Sequence, residues 1–200
     1  GLLAEYGVVI KERANQFRLS ALECVEDAEN ELSAAMRLLV SENIKEYEFL
    51  VHQIKMFDRE IEQIANQSED CERLMAIPGV GVLGATAFIS SIGDPSLFKN
   101  GRQVGSWIGL VPKQHSTGGV ARLLSITKRG DPELRALLIH GARATLVSMM
   151  KKKKKDPTTE WALNLLEKKG WNKASVALAN KTVRVMWHIL KHKEEFKLTA

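Results

Sequence analysis

Residues 77–94 read IPGVGVLGATAFISSIGD, and no other stretch says as much about how the chain folds. Pro78, Gly79, Val80 and Gly81 carry a tight-turn signal, and the small and apolar residues after them predict a helix over 82–92 that Gly93 stops. A turn this short joins packed helices, so the expected fold is mainly α. Upstream, residues 41–75 hold no proline or glycine, and Ile44, Tyr47, Val51, Ile54, Phe57, Ile61 and Ile64 recur at steps of three and four. That spacing predicts one long, coiled-coil-like amphipathic helix whose stripe meets either a partner helix or the core of its own domain. A shorter helix is expected over 21–40, with Glu23, Glu26, Asp27, Glu29 and Glu31 toward its start, where the helix dipole favours acids. The change of texture near Ala76 divides the chain into a helical spacer, 1–75, and a helical domain, 76–200.

Further along, a helix over 101–108 ends at Gly109. Residues 110–127, with Pro112, Gly118, Gly119 and several hydroxyls, read as a loop. Asp131 before Pro132 is an N-cap and first-turn signal for a helix reaching about Met150, with Leu134, Leu137, Leu138 and Ala142 on one face. The lysine run 151–155 reads as a solvated linker, with a phosphate-tracking arm as the alternative. Helices over 158–169 and 173–191 flank Gly170. Trp161, Leu165, Val176, Ala179, Val183, Trp187 and Leu190 recur in them at helical intervals and are assigned to the core. No sustained strand alternation is present.

The chain has 200 residues, 44% hydrophobic and 26% charged, which suits one medium globular domain or two small ones. No apolar run reaches the roughly 18 to 20 residues of a membrane span, and the start GLLAEYGVVIKER shows no cationic leader or cleavage site. A cytoplasmic protein that touches no membrane is expected, and an opening on Gly1 reads as the inside of a longer chain. Cys24 and Cys71 lie in polar helical stretches without a CxxC or paired histidines, which argues against a zinc site or a disulfide scaffold. Charge is more informative. Residues 1–75 carry 8 Lys and Arg against 16 Asp and Glu, whereas residues 76–200 carry 21 against 8. A net of +13 in the second part is a common footprint of nucleic-acid binding, although many basic domains only solvate their lysines.

Two segments carry candidate chemistry. The turn at Gly79, Val80 and Gly81 resembles that of a helix-hairpin-helix element. There the glycines let the backbone approach a phosphate, and the amides of the next helix point at it without reading sequence. Purely steric joining of two helices explains the same letters, and Gly84 reads as a close-packing glycine either way. The second segment, GLVPKQHSTGGVARLLSITKRGDPELR at 109–135, sets Ser116 and Thr117 beside a glycine pair, with His115 before them and Arg122, Lys128, Arg129 and Arg135 after. A serine attacks a phosphodiester when it is deprotonated and when positive charge holds the transition state. The basic residues meet the second need. His115 is a candidate base for the first, Ser125 is a rival hydroxyl in an apolar setting, and a serine satisfying turn amides fits the same spacing.

Longer motifs point to a family. GLLAEYG at 1–7, RLMAIPGVG at 73–81, GLVPKQHSTGG at 109–119, SITKRGDPELRALLIHGARA at 125–144 and VALANKTVRVMWHIL at 176–190 together resemble the C-terminal part of certain insertion-sequence transposases. That family carries an N-terminal RuvC-like domain with an Asp-Glu-Asp-Asp metal site and a C-terminal domain with an essential serine, and it is guided by a structured bridge RNA. The resemblance implies that Ser116 is the nucleophile and becomes esterified to a DNA end; from their charge and position, Arg122, Lys128 and Arg129 are then expected to steady the phosphate. It also implies DNA and guide RNA as partners, and a homo-oligomer formed through the helix over 41–75. Magnesium is expected only in the RuvC-like domain, with no cofactor in these residues, so this chain alone is expected to be inactive. Two other readings of the residues remain: a noncatalytic helix-hairpin-helix nucleic-acid-binding module, and a dimerisation adaptor.

Overall fold

The computed structural model describes residues 2–9, 14–117, 120–152 and 156–197. They form eight α-helices and one two-stranded antiparallel sheet, so the fold is mainly α as expected. The chain separates into two compact units, Gly1–Glu60 and Ile61–Ala200.

In the first unit, α1 (Ala14–Glu26) and the start of α2 (Ala34–Asn66) replace the single helix expected over 21–40. Polar side chains of the intervening loop compete for the backbone there. Asn30 Nδ2 donates to the Cys24 carbonyl at 2.7 Å, and the Arg37 guanidinium gathers the carbonyls of Val25, Asp27 and Asn30 at 2.7, 2.8 and 3.1 Å. Asp27, Glu29 and Glu31 therefore sit in this loop and not at a helix start. Ala21, Val40 and Ile44 bury together beside Leu22 and Val25, and the Phe17 and Tyr47 rings lie 5.0 Å apart.

The helix expected over 41–75 breaks at Gln67 and Ser68. Ser68 takes an extended conformation and accepts the Cys71 amide at 3.3 Å, starting α3 (Glu69–Met75) with Glu69, Asp70 and Glu72 in its first turn. Ala65, Cys71 and Leu74 are buried in the core of the second unit, so the boundary drawn near Ala76 falls inside that unit.

The second unit is organised around α8 (Trp171–His192), whose Ala174, Leu178, Ala179, Val183, Met186 and Leu190 are buried. Helices α3, α5 (Gly101–Ile108), α6 (Pro132–Lys152) and α7 (Pro157–Lys169) all contact it, and α4 (Val82–Ile92) packs on α3 and α6. The local signals hold. Gly109 ends α5 at a φ of 82°, and Asp131 accepts the Glu133 and Leu134 amides at 2.8 and 3.2 Å to open α6. Lys151 and Lys152 continue α6, while residues 153–155 of the lysine run lie outside the described residues. The segment read as a loop is instead a hairpin, β1 (Pro112–Thr117) paired with β2 (Val120–Ile126). Two short runs carrying β-branched residues on either side of a glycine pair are a hairpin signal in their own right.

Candidate nucleic-acid interface

The turn at 78–81 links α3 to α4 and presses on α6. The Val80 amide donates to the Ile77 carbonyl at 3.0 Å, and Gly79 has a φ of 84°. A Cβ on Gly79 would stand 2.5 Å from the Gly141 carbonyl oxygen and collide with Thr145 Oγ1. Gly79 and the buried Val80 are thus committed to packing. Gly81 is different: it precedes α4 with no side-chain cap, and a Cβ there would meet nothing within 4 Å. Gly84 approaches only Val80 Cγ1, at 3.9 Å, so the close-packing role expected for it does not exist.

The serine hairpin is held at its root. The Thr127 amide donates to Val111 O at 2.9 Å, Lys128 to Gly109 O at 3.2 Å, and Leu110 to Gly105 O at 2.9 Å. A Cβ on Gly109 would come within 2.5 Å of the Arg129 nitrogen, so the returning chain needs a glycine there. Arg135 closes the same root by donating from Nη1 to Ile108 O at 3.0 Å and Arg129 O at 3.1 Å.

Ser116 pairs with Ala121 near the hairpin's far end, next to Gly118 and Gly119, which lie outside the described residues along with the Ser116 side chain. His115 pairs with Arg122, and Gln114 with Leu123. Neighbouring strand positions belong to opposite faces. Positions 115 and 122 therefore share one face, while 116, 121 and 123 share the other. The step from Ala121 to Ile126 alone spans roughly 17 Å at the strand rise. Lys128, Arg129 and Arg135 lie at the root, the other end of the hairpin from register position 116.

Sequence reading missed a second cluster. A cleft of about 1770 Å³ lies among α5, the hairpin, α7 and α8, and it is lined by Arg102, Lys169, Lys173, Lys181 and Arg184 with no aspartate or glutamate. Lys173, Val176, Ala177, Asn180, Lys181 and Arg184 line it from one face of α8, opposite the buried residues of that helix. Leu123, Leu124, Ile126 and Trp161 supply an apolar lining. Trp161, assigned to the core from its spacing, is 39% exposed, with Lys181 Nζ 5.0 Å from its ring centroid. On α8 the only local signal was Lys173, Lys181 and Arg184 at steps of eight and three, away from the apolar stripe.

Among the described residues, no three His, Cys, Asp or Glu side chains gather closely enough to hold a metal ion by themselves. No described helix is long and apolar enough to cross a membrane.

Comparison with known proteins gives this arrangement its context. The chain is 40% identical over 191 residues to a probable family 20 transposase of Pseudomonas aeruginosa, covering 95% of this chain and 56% of that protein. It is 38% identical over 200 residues to the transposase for insertion sequence element IS1111A of Coxiella burnetii, covering 100% of this chain and 54% of that one. A pilin gene-inverting protein of Moraxella bovis is 25% identical over 172 residues, 82% of this chain and 51% of that protein. The chain thus spans about half the length of the curated relatives it matches. Residues 71–157, which run from α3 through the serine hairpin and α6, match the model described as Transposase IS116/IS110/IS902 family.

Proposed function

We propose that this chain is the strand-joining part of a DNA transposase, with Ser116 as the nucleophile. The observation that supports this most directly is the hairpin. It is anchored at its root and carries position 116 to its far end beside a glycine pair, within a domain matched to transposases. The Ser116 oxygen attacks a DNA phosphorus, an O–P ester forms, and the leaving strand departs as a hydroxyl that takes up a proton. A second strand's hydroxyl then attacks the same phosphorus and releases the serine. The ester stores the energy of the broken phosphodiester, so rejoining needs no external energy source. Cations must offset the charge on the phosphorane oxygens. Arg122 is the cation nearest in register, on the opposite strand face. Those at the root lie at the other end of the hairpin.

The reading includes a second copy as partner. On α2, Leu50, Ile54, Phe57 and Ile64 are all exposed, at steps of four, three and seven that form a coiled-coil seam. Guide RNA, a cytoplasmic setting and a magnesium-bearing RuvC-like domain elsewhere in the protein belong to the same proposal, and no step derived from these residues runs through the metal.

Ser116→Ala in the full-length protein is the test. Excision and any covalent protein–DNA adduct should be lost while DNA binding and circular dichroism stay as in the wild type. Normal recombination by that variant, or an adduct on another side chain, overturns the proposal. A noncatalytic backbone-binding module is the second reading, favoured by the open side of Gly81 and the uncapped start of α4. It expects no adduct in either protein.

A further inference from the structure

We infer that the acid-free cleft among α5, the hairpin, α7 and α8 holds an unpaired nucleic-acid strand and leads it along the hairpin face that bears Ser116. The last clause rests on the function proposed above; the cleft's occupancy does not.

Charge sets the class of ligand. Arg102, Lys169, Lys173, Lys181 and Arg184 come from three different helices yet line one cleft with no acid among its residues. Such a surface attracts a polyanion. From Lys173 to Arg184 the α8 face extends about 16 Å, the length of four or five stacked nucleotides at about 3.4 Å each.

The floor decides between duplex and single strand. Leu123, Leu124, Ile126, Val176 and the exposed Trp161 line the space between the cations. A duplex keeps its bases stacked inside and would lay hydrated phosphates against this apolar floor. An unpaired strand sets bases on the floor and phosphates on the cationic rim, the usual arrangement for single-strand binding. An amphipathic acidic helix would also fit charge and floor, and α2 of another copy is such a helix. Its exposed seam, however, is the one proposed to pair with its own counterpart. The cleft also opens onto the right place: Leu123 lines it and shares a strand face with position 116, with Ala121 as the neighbouring same-face position. A strand in the cleft therefore passes within about two residues, roughly 7 Å, of the serine's register position.

The test is fluorescence anisotropy on the purified chain with a labelled 12-nucleotide oligothymidylate, a 12-base-pair duplex, and a peptide of residues 50–66. The single strand should bind tightest, with log affinity falling against log salt at a slope of about −3.5 for five contacts. Lys173→Ala with Arg184→Ala should weaken binding at least tenfold and reduce the slope by about 1.4. Lys151→Ala with Lys193→Ala, outside the cleft, should stay within twofold, and circular dichroism should confirm that both pairs fold. Strand binding should also quench tryptophan emission, and Trp161→Phe should remove most of that change. Equal or tighter duplex binding, preferential capture of the peptide, or equal losses from the two paired variants overturns the inference. The two proposals fail separately. Ser116→Ala leaves oligothymidylate binding by the purified chain intact, and loss of that binding preference in the wild-type chain would remove the cleft inference without bearing on the serine adduct.

Discussion

Replacing Gly79 by alanine is the sharpest probe of what the 78–81 turn does. Two penalties combine at this position. Its φ of 84° places a non-glycine residue in left-handed backbone, which costs roughly 1–2 kcal/mol. The new Cβ would stand 2.5 Å from the Gly141 carbonyl oxygen. That oxygen belongs to the α6 backbone and cannot rotate away, so overpacking adds about 1–3 kcal/mol. A loss of roughly 2–5 kcal/mol is a large part of the 5–15 kcal/mol typical of a folded domain. Gly81→Ala is the matched control: a Cβ there meets nothing within 4 Å, and its φ is −97°. It should change stability by less than about 0.5 kcal/mol. Urea unfolding followed by tryptophan emission measures this unit selectively, because Trp107, Trp161, Trp171 and Trp187 all lie in Ile61–Ala200. The wild type and both variants should share one m-value, with only the Gly79→Ala midpoint shifted. A Gly79→Ala midpoint within error of wild type would refute the close approach of the turn to α6.

Two further outcomes follow from features described above. Ile54→Glu with Phe57→Glu places charges in the exposed seam of α2 and should convert an oligomer to monomers in sedimentation velocity, with tryptophan-detected stability unchanged; retained oligomers would remove the seam from the interface. Arg135→Ala strips the donor from Ile108 O and Arg129 O and should cost about 1.5–3 kcal/mol, with faster amide exchange at Thr127 and Lys128 than elsewhere in the unit. Unchanged exchange there would show that the root does not depend on the guanidinium.

Much of the helical frame was legible because it is written in local chemistry. Gly93 and Gly109 stop helices and Asp131 opens one, whatever surrounds them. Ser68 was missed although Ser-Glu-Asp is also a start signal, because it sits inside a run whose apolar spacing barely changes. The loop at 27–33 was hidden for another reason: its polar residues look like a helix surface until Arg37 collects their carbonyls. The hairpin is hidden because a glycine pair between two short runs suits an open loop and the closure of a ladder equally well. Of the expected phosphate contacts, Arg135 serves the backbone and Gly79 serves packing, so both were visible as special and neither was assignable from spacing. The gathering of cations from different helices into one cleft lay beyond the reach of any local pattern. Arg102 and Lys173 stand 71 positions apart in the sequence, and only the packing of α5 on α8 makes them neighbours.

The serine hairpin is fastened at one end, and that makes it a lever. Swinging an arm of roughly 17 Å by ten degrees about its root carries the outer end about 3 Å, comparable to the distance between an attacking oxygen and a phosphorus. Aim at the tip is therefore fixed by tolerances at Gly109 and Arg135, far from any reacting atom. If position 116 carries the nucleophile as proposed, substitutions there should degrade joining along with stability.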